Sequence, residues 1–332
     1  MIAILMCTYN GEKYLREQLD SILNQDIRQY ENAEEYRVYI VDDGSTDKTT
    51  DIIDEYVSTH RDMVRRLVVS DHHEGAKNNF FKGLLSKEIR KADYVMFSDQ
   101  DDVWNKDKIS TTLRRMKRIE KKCGRDIPIL VHSDCKVVDQ DLKELEPSFI
   151  RYANLNQKKA TFSHLMVMNF VTGAASMLNR SLVQFITEIP ESCMMYDHFV
   201  ALVAGAFGKI SFIDKPLYQY RQHSSNVLGA SNCILIKGIR IWLPTKASQK
   251  EKQRVLKIVR ENYTGMKQQA ESFLKIYGKR LDPKKRKITV DFINLSSKFG
   301  ILRVFTLLKN NTICDNWYRI LGECSFFLRY TV

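Results

Sequence analysis

The chain has 332 residues, 44% of them hydrophobic and 28% charged. These are ordinary proportions for a folded soluble protein with one large domain, or one domain and an appendage. The formal net charge is +12, and it is unevenly placed: residues 233–332 hold 21 Lys and Arg against 7 Asp and Glu, whereas the remainder holds 31 against 33. This asymmetry predicts an anionic partner for the last third, either membrane lipid or nucleic acid.

The seven cysteines bear on two possibilities, a disulfide framework and a zinc site. Their number is odd, they are scattered, and no C-x-x-C occurs, which argues against a disulfide framework or a zinc site and favours a reducing cytoplasm. The apolar start "MIAILM" has no preceding cationic region, so we interpret it as a first strand rather than a signal peptide. No stretch reaches the roughly 18 apolar residues that span a bilayer.

Strands and helices alternate along the first hundred residues, which predicts a mostly parallel sheet with helices on both faces. Ser45 or Thr46 is expected to cap the second helix. The predicted elements are a strand in 2–10, a helix in 12–25, a strand, turn and helix in 36–57, a strand in 65–71, a helix in 78–89 and a strand in 92–102.

The alternation of strands and helices continues throughout the first part of the chain, and the pattern changes near residue 233. From there long basic amphipathic helices follow without a strand signal, so we predict two parts, 1–232 and 233–332. The elements between are a basic helix in 110–123, a strand in 128–139, a loop and helix in 148–165, a strand and helix in 170–186, and a helix, a strand pair and a polar loop in 196–226.

Polar segments stand where four of the predicted strands end. They are "CTYN" (7–10), "VDDGSTD" (41–47), "SDHHEG" (70–75) and "SDQDDVW" (98–104). Ligands of open α/β sheets bind at the carboxyl ends of the strands, so these segments are candidates for a binding site. None is a G-x-x-x-x-G-K-[ST] or G-x-G-x-x-G loop, which leaves Walker-type and standard dinucleotide sites unsupported.

The acids of these segments allow two interpretations. Asp99 and Asp101 can face one Mg²⁺ or Mn²⁺ ion, which offsets their mutual repulsion. Alternatively, they belong to a solvated acidic turn. "VDDGSTD" is similarly either a turn with a helix cap, or a segment in which Asp42 or Asp43 bonds a base or ribose.

Five motifs, taken together, resemble a known family. "CTYNGEKYLREQLDSILNQ", "VDDGSTDKT", "SDQDDVWNKDKI", "TGAASMLN" and "YDHFVALVAGAFGKI" occur in this order. Over residues 1–229 this resembles the family-2 glycosyltransferases, which implies the GT-A fold: a Rossmann-like sheet with helices on both faces, here followed by a basic helical extension. "SDQDDVW" and "YRQH" are typical of bacterial rhamnosyltransferase-type enzymes of surface-polysaccharide synthesis.

The resemblance implies roles for the donor-side residues. Thr8, Tyr9 and Asn10 would lie near the nucleotide base, and Asp43 or its neighbour Asp42 would contact the base or ribose. Asp99 and Asp101 match the family's D-x-D pair, which implies Mn²⁺ or Mg²⁺ as cofactor, with Asp101 the principal metal ligand and Asp99 nearer the ribose. Asp102 and Trp104 would shape the loop, and Asp102 would also cap the next helix.

One segment departs from the family pattern. The family often has an Arg just before an Asn after the third strand, and here "EGAKNNFF" has Asn78 at the Arg position and Asn79 at the Asn. Lys77 would supply the charge, but as a point charge rather than a bidentate fork.

The resemblance also implies that Asp197 is the general base, which would remove the acceptor proton during an inverting transfer. Its sequence context equally fits a helix N-cap. His198 beside it would bond the acceptor or phosphate. Gly173 would line the acceptor site, or serve close packing alone. His223, helped by Arg221, would reach the metal or diphosphate, or else be a surface histidine.

The basic last third has two principal interpretations. Its Trp, Phe, Lys and Arg residues suit an anionic membrane surface, or its helices cover the catalytic domain and leave a solvated basic face. Nucleic acid binding is a third option, which we do not favour, because no helix-turn-helix, zinc-finger or RNP motif occurs.

The sequence therefore predicts an inverting, metal-dependent glycosyltransferase. It would move L-rhamnose from dTDP-rhamnose, or a hexose from a UDP-sugar, to a lipid-linked or oligosaccharide acceptor. It would act in the cytoplasm at the inner face of the plasma membrane. The alternative is a non-catalytic subunit that binds sugar nucleotides as a scaffold in a polysaccharide-synthesis complex.

Overall fold

The computed structural model describes residues 1–27, 35–69, 74–223 and 249–330. The predicted boundary between residues 232 and 233 lies outside the described residues. Two compact units share the chain. Unit 1 comprises Met1–Phe149, Val171–Ile189 and Phe207–Gly229, and unit 2 comprises Ile150–Phe170, Pro190–Ala206 and Ala230–Val332.

Unit 1 is built on one mixed sheet. Its spatial order is β3-β2-β1-β4-β8-β6-β9-β5, and β7 pairs with β6. The strands are β1 (Ile2–Thr8), β2 (Tyr36–Asp42), β3 (Val64–Arg66), β4 (Tyr94–Ser98), β5 (Val103–Trp104), β6 (Ile129–Val138), β7 (Glu144–Glu146), β8 (Ser176–Asn179) and β9 (Lys209–Arg221).

Helices are described in both units, and three short 3₁₀ turns, Gln157–Lys159, Gly173–Ala175 and Asn294–Ser297, accompany them. The helices are α1 (Leu15–Leu23), α2 (Thr49–Thr59), α3 (Gly75–Leu85), α4 (Lys87–Arg90), α5 (Lys108–Cys123), α6 (Phe149–Tyr152), α7 (Phe162–Leu165), α8 (Arg180–Phe185), α9 (Tyr196–Phe207), α10 (Gln249–Tyr277), α11 (Pro283–Ile293), α12 (Gly300–Asn310) and α13 (Trp317–Arg329).

The predicted parallel pairing holds for one half of the sheet. Strands β1 to β4 pair in parallel, as their alternation with helices requires. Strand β8 then pairs antiparallel with β4 and β6, β5 pairs antiparallel with β9, and only β6 and β9 are parallel in this half. Between β6 and β9 the chain twice enters unit 2, so the simple strand-helix alternation that predicts parallel pairing no longer applies.

Two local predictions are wrong. The predicted strand pair after α9 is the single strand β9, and its Pro216 is accommodated where the register with β6 shifts at Asp134. Neither Ser45 nor Thr46 caps α2, which begins at Thr49; the Asp47 carboxylate instead accepts the backbone N–H of Thr49 at 2.9 Å. A carboxylate two residues upstream thus does the capping expected of a hydroxyl.

Unit 2 is helical throughout the residues that the structure describes. The predicted helical character of the C-terminal third is confirmed for residues 249–330, which form α10 to α13 without a strand. Among the described residues, no helix combines the length and apolarity that crossing a bilayer requires.

A buried histidine in unit 1 couples folding to pH. His132 lies on β6 with 1% of its surface exposed and its ring 5.2 Å from that of Phe212. Neither ring nitrogen has a hydrogen-bond partner among the described residues. Burial lowers the pKa of His132 to about 3, so the side chain is neutral in the folded protein, whereas the unfolded chain takes up a proton below about pH 6.5.

We therefore expect acid to destabilise unit 1 through His132. The folded-state pKa lies below the unfolded value, so stability is full above the unfolded pKa and falls as pH drops toward the folded one. Chemical denaturation at about pH 7.5 and about pH 5 should show a loss of about 2 kcal/mol that His132→Leu removes. The exposed His60 offers a control, since His60→Leu should keep the wild-type loss. An equal loss in wild type and His132→Leu would contradict the assignment.

Candidate active site

Three loops meet at the carboxyl edge of the parallel half of the sheet. They follow β1, β2 and β4, and β1 lies between the other two strands. Tyr9 and Gln100 exchange two hydrogen bonds, in which the Tyr9 N–H donates to Gln100 Oε1 at 2.9 Å and Gln100 Nε2 donates to the Tyr9 carbonyl at 3.0 Å. The Asn10 N–H donates to Ser45 Oγ at 2.9 Å. The predicted strand-end segments therefore form one surface.

The loop after β1 is fixed by its own polar residues. Thr8 is buried and its hydroxyl donates to Asp42 Oδ1 at 2.8 Å. Asn10 adopts a left-handed conformation (φ 46°), which asparagine tolerates better than most residues, and its Oδ1 accepts the N–H of Thr46 at 2.9 Å. A Cβ atom at Gly11 would lie 2.2 Å from Gln100 Oε1, so a larger residue there would displace the Gln100 side chain from its bonds to Tyr9. Tyr9 remains half exposed at this edge.

The two acids after β2 are both buried but have different partners. Asp42 accepts the backbone N–H and the hydroxyl of Ser45, at 2.9 and 2.6 Å, in addition to the hydroxyl of Thr8. Asp43 accepts the backbone N–H groups of Glu74 and Gly75, at 3.2 and 2.9 Å, at the start of α3. Asp42 thus shapes its own turn, while Asp43 fixes the N-terminus of α3 against the site.

Helix α3 brings an unpaired amide to the same unit. Lys77 and Asn78 are half-buried, whereas Asn79 is 1% exposed. Neither Oδ1 nor Nδ2 of Asn79 has a hydrogen-bond partner among the described residues. Leaving a buried amide unpaired costs about 1–3 kcal/mol, so Asn79 is a place where a ligand would add stability.

The acidic loop after β4 presents one carboxylate to a histidine. Asp101 Oδ2 lies 2.8 Å from His223 Nε2, and both side chains keep only about an eighth of their surface exposed (14% and 12%). The His223 ring lies 5.0 Å from the ring of Tyr14. Asp99 is half-buried two residues before. Asp101 and His223, both of which the resemblance assigns to the metal site, are therefore in contact although 122 residues separate them in the chain.

Arg221 contacts this loop from the buried side, and its side chain does not face the solvent. Its guanidinium is buried and donates to the carbonyl oxygens of Asp101 and Gln140, at 2.7 and 2.6 Å, and to Glu17 at 2.5 Å. Its backbone N–H donates to Asp102 Oδ1 at 3.2 Å. These bonds fix the backbone of the loop, and the expected role of Arg221 beside His223 at the metal or diphosphate stays a prediction.

Asp102 and Lys108 form a buried pair of ionisable groups under the loop. Helix α5 begins at Lys108 after Asp107, so Asp102 is not the helix cap that the sequence suggested. Burial is the main cause that raises the pKa of Asp102, and the neighbouring Asp101 and Asp99 raise it further. Burial lowers the pKa of Lys108 to about 7, opposed by the charge of Asp102. The pair thus adds little net charge to the loop.

Lys108 also joins the acidic loop to the small-residue turn before β8. Its Nζ donates to the carbonyl of Ala174 at 2.5 Å and lies 3.8 Å from the ring centre of Trp104 and 4.1 Å from that of Tyr218. Gly173 begins that turn and is buried. Sequence reasoning missed Lys108, Gln100 and Glu17, because nothing in the local pattern distinguishes them from surface residues.

Two further predicted residues lie in unit 2, at the start of α9. Asp197 is half-buried, and its Oδ1 accepts the backbone N–H of His198 at 2.7 Å. His198 is buried, and its Nε2 lies 2.7 Å from the carbonyl oxygen of Leu165. Burial lowers the pKa of His198 to about 4, so the neutral ring donates to that carbonyl. This contact packs His198 against Leu165 within unit 2, and its expected role at the acceptor or phosphate stays a prediction.

The described residues contain no group of three or more His, Cys, Asp and Glu side chains arranged to hold a metal ion. Asp101 and His223 provide two donors. Mg²⁺ and Mn²⁺ sites in nucleotide-binding proteins commonly use one or two protein ligands and complete the shell with waters and substrate phosphates. The donor set therefore fits a divalent ion that binds together with a diphosphate.

Comparisons with known proteins agree with this geometry. Residues 3–186, more than half of the chain, match the family described as Glycosyl transferase family 2. The dTDP-rhamnosyl transferase RfbG of Shigella flexneri is 27% identical over 247 residues, which cover 72% of this chain and 78% of RfbG. The poly(ribitol-phosphate) beta-N-acetylglucosaminyltransferase TarS of Staphylococcus aureus is 31% identical over 105 residues, which cover 32% of this chain and only 17% of TarS.

A solved structure shows the same fold. The crystal structure of S. aureus TarS residues 1–349 in complex with UDP-GlcNAc aligns over 98% of this chain and 89% of that chain, with a TM-score of 0.50 and 17% identity. At this identity the likeness establishes the GT-A type of fold alone. Together with the family match over residues 3–186, it identifies the chain as a glycosyltransferase that belongs to family 2.

Proposed function

We propose that this protein is an inverting, metal-dependent glycosyltransferase that uses a nucleotide-sugar donor. The observation that carries the proposal is that the loops after β1, β2 and β4 form one surface, and that the loop after β4 brings Asp101 Oδ2 to 2.8 Å from His223 Nε2. The names of two relatives support the donor class, since one is a dTDP-rhamnosyl transferase and a structural neighbour is a complex with UDP-GlcNAc. The donor we propose is dTDP-rhamnose, with a UDP-hexose as the second choice.

On this proposal the loops after β1 and β2 hold the nucleotide. Thr8, Tyr9 and Asn10 border the base, with the half-exposed Tyr9 ring available for stacking. Asp43 bonds base or ribose, and Asp42 supports the turn beside it. The unpaired amide of Asn79 gains hydrogen bonds when the donor binds, and Lys77 adds positive charge near the phosphates.

The acidic loop holds the diphosphate end. Asp101 and His223 would bind Mn²⁺ or Mg²⁺, and Asp99 would face the ribose or the same ion. When bound, the ion neutralises the charge that develops on the departing diphosphate. Arg221 and Lys108 act through the loop, because their hydrogen bonds to Asp101 and Ala174 carbonyls fix its backbone.

Asp197 is the proposed catalytic base, a role that rests on the family motif. Its carboxylate takes the proton from an acceptor hydroxyl as that oxygen attacks the anomeric carbon. The new carbon–oxygen bond forms while the bond to the diphosphate breaks on the opposite face, so the nucleoside diphosphate leaves and the configuration inverts. The backbone near Gly173 borders the acceptor.

The acceptor we propose is a lipid-linked or growing oligosaccharide at the inner face of the plasma membrane. An anionic membrane surface would then be the second partner, contacted by the part of the chain from 233 to 332. Its excess of basic residues supports that partner.

A donor panel tests the transfer and its metal dependence together. Purified protein with Mn²⁺, an acceptor extract and a panel of UDP-, dTDP- and GDP-sugars should release nucleoside diphosphate from one donor, and chelation of the metal should stop the release. Asp101→Asn should lower kcat/KM by at least about a hundredfold, since it removes the charged ligand of the ion. Asp107→Asn serves as the matched control, because Asp107 forms a surface ion pair with Lys215.

Two results would contradict parts of the proposal. Release that persists in Asp101→Asn or after chelation would remove the metal role. Tight donor binding that never leads to release, even with acceptor present, would favour the non-catalytic scaffold subunit instead.

Replacement of the proposed base separates chemistry from donor binding. Asp197→Asn should reduce kcat by at least about a hundredfold while the Kd for donor, measured by calorimetry, stays within about twofold, because the base acts only on the acceptor. Glu191→Gln is the control in the same unit, since Glu191 is exposed and pairs with Lys275. Normal turnover in Asp197→Asn would exclude it as the base.

Lys108 should behave as a positioning residue. Lys108→Met keeps the apolar stem between the Trp104 and Tyr218 rings but removes the bond to the Ala174 carbonyl. We expect kcat/KM to fall by about a hundredfold through misplacement of the loop. The exposed Lys106 provides the control Lys106→Met. Unchanged kinetics in a folded Lys108→Met protein would show that this bond does not position the site.

A further inference from the structure

The last two helices expose an unusual number of large apolar side chains. Eight of the eleven large hydrophobic residues that are exposed in the described chain fall between residues 299 and 328. Soluble proteins rarely expose such residues together unless the surface binds something. They are Phe299, Ile301, Leu302, Phe305, Leu308, Trp317, Leu321 and Leu328.

Helical periodicity places these side chains on one face of each helix. In α12 the exposed residues Ile301, Phe305 and Leu308 recur at intervals of four and three, while Leu307 faces the interior. In α13 Trp317, Leu321 and Leu328 recur at intervals of four and seven, which also keeps them on one face, and the buried Phe326 and Phe327 lie away from that face. Each helix is therefore apolar both inward and outward, which the packing of unit 2 alone does not require.

Direct contacts hold the two helices together as an antiparallel pair. A Cβ atom at Gly300 would lie 2.3 Å from the carbonyl oxygen of Leu328, so the start of α12 lies against the end of α13. The buried Arg303 donates to the carbonyl of Tyr330 at 2.7 Å and also to that of Phe327 at 3.4 Å. The two apolar faces thus belong to one fixed helical hairpin, residues 299–330.

The charges of this hairpin have one sign at its surface. Its acids are Asp315 and Glu323, and both are buried: Asp315 pairs with the equally buried Arg319 at 2.8 Å, and Glu323 accepts the backbone N–H of Cys314. Lys309 and Arg329 are exposed. Every exposed charged residue between 299 and 330 is therefore basic.

We infer that the outer face of the hairpin 299–330 docks on an anionic lipid bilayer and lies in its interface. The apolar side chains would enter the boundary between headgroups and acyl chains, with Trp317 at the interface that tryptophan prefers. Lys309 and Arg329 would contact anionic headgroups. This inference narrows the membrane part of the proposed function to one surface, but it needs neither donor nor catalysis.

A second copy of the chain is the competing occupant, and the charges disfavour it. A two-fold contact through this face would bring the basic residues of one copy next to those of the other. Like charges at short range repel, and the hairpin has no exposed acid to compensate. An anionic surface, by contrast, matches both the apolar and the basic residues.

Vesicle sedimentation with the full-length protein tests the inference. Vesicles of phosphatidylglycerol mixed with phosphatidylcholine should bind the protein, and vesicles of phosphatidylcholine alone should bind it far more weakly. Lys309→Gln with Arg329→Gln should weaken binding to the anionic vesicles by about fivefold per charge, and added salt should weaken the wild type similarly. No nucleotide sugar is needed, so Asp101→Asn should bind as the wild type does.

Paired variants test whether vesicle binding depends on the hairpin or on exposed apolar residues in general. Phe305→Ser with Trp317→Ser should reduce vesicle binding by at least about tenfold per residue. Val68→Ser with Leu145→Ser removes two equally exposed apolar residues of unit 1 and should leave binding unchanged. Circular dichroism should show that all variants fold, since the replaced side chains are exposed; Ile301→Ser with Leu321→Ser provides a second pair.

Three outcomes would overturn the inference. The first is an absence of binding to anionic vesicles, and the second is binding that both hairpin pairs retain. The third is self-association, measured by light scattering, that Phe305→Ser with Trp317→Ser abolishes while vesicles bind nothing; the face would then be an interface between copies.

Discussion

The candidate site depends on the hydrogen bonds that the buried guanidinium of Arg221 makes with the loop after β4 and its neighbours. Three acids lie within four residues after β4, and their repulsion would push an unsupported loop apart. Arg221 is 2% exposed and reaches the Asp101 carbonyl, the Gln140 carbonyl and Glu17. Burying a cation is costly unless such partners surround it, so the loop and the arginine stabilise each other. The loop after β4 is thereby tied to Gln140 and Glu17 through one buried side chain.

Burial distinguishes Asp102, which lies beside Lys108, from the other acids of this loop. The raised pKa of Asp102 and the lowered pKa of Lys108 both follow from removal of water. Asp102 is fully buried, whereas Asp99 and Asp101 keep part of their surface exposed. One acidic cluster thus contains one fully buried acid and two partly exposed acids, of which Asp101 contacts His223.

The local sequence pattern predicted those features of the fold that depend on residues close together in the chain. The segments after β1, β2 and β4 and the parallel order of the first four strands follow from strand-helix alternation, and the order of five motifs predicted the family. What sequence did not predict depends on partners distant in the chain. Pro216 fits within β9 where β6 shifts register beside it. Lys108 is buried with its Nζ against the rings of Trp104 and Tyr218. Segments 150–170 and 190–206 join the C-terminal helices in unit 2.

The residues that the motifs placed together differ in whether their polar atoms already have hydrogen-bond partners. Asp42 shares its two oxygens among Thr8, Gly44 and Ser45, so its carboxylate is already satisfied by the turn that it forms. Asn79 is equally buried, yet its amide has no partner among the described residues. Keeping such a group unpaired lowers stability, and only a bound molecule or a further polar group at that position restores the loss. Asp42 is therefore accounted for by the turn that it forms, whereas the described residues provide no hydrogen bond that accounts for the buried amide of Asn79.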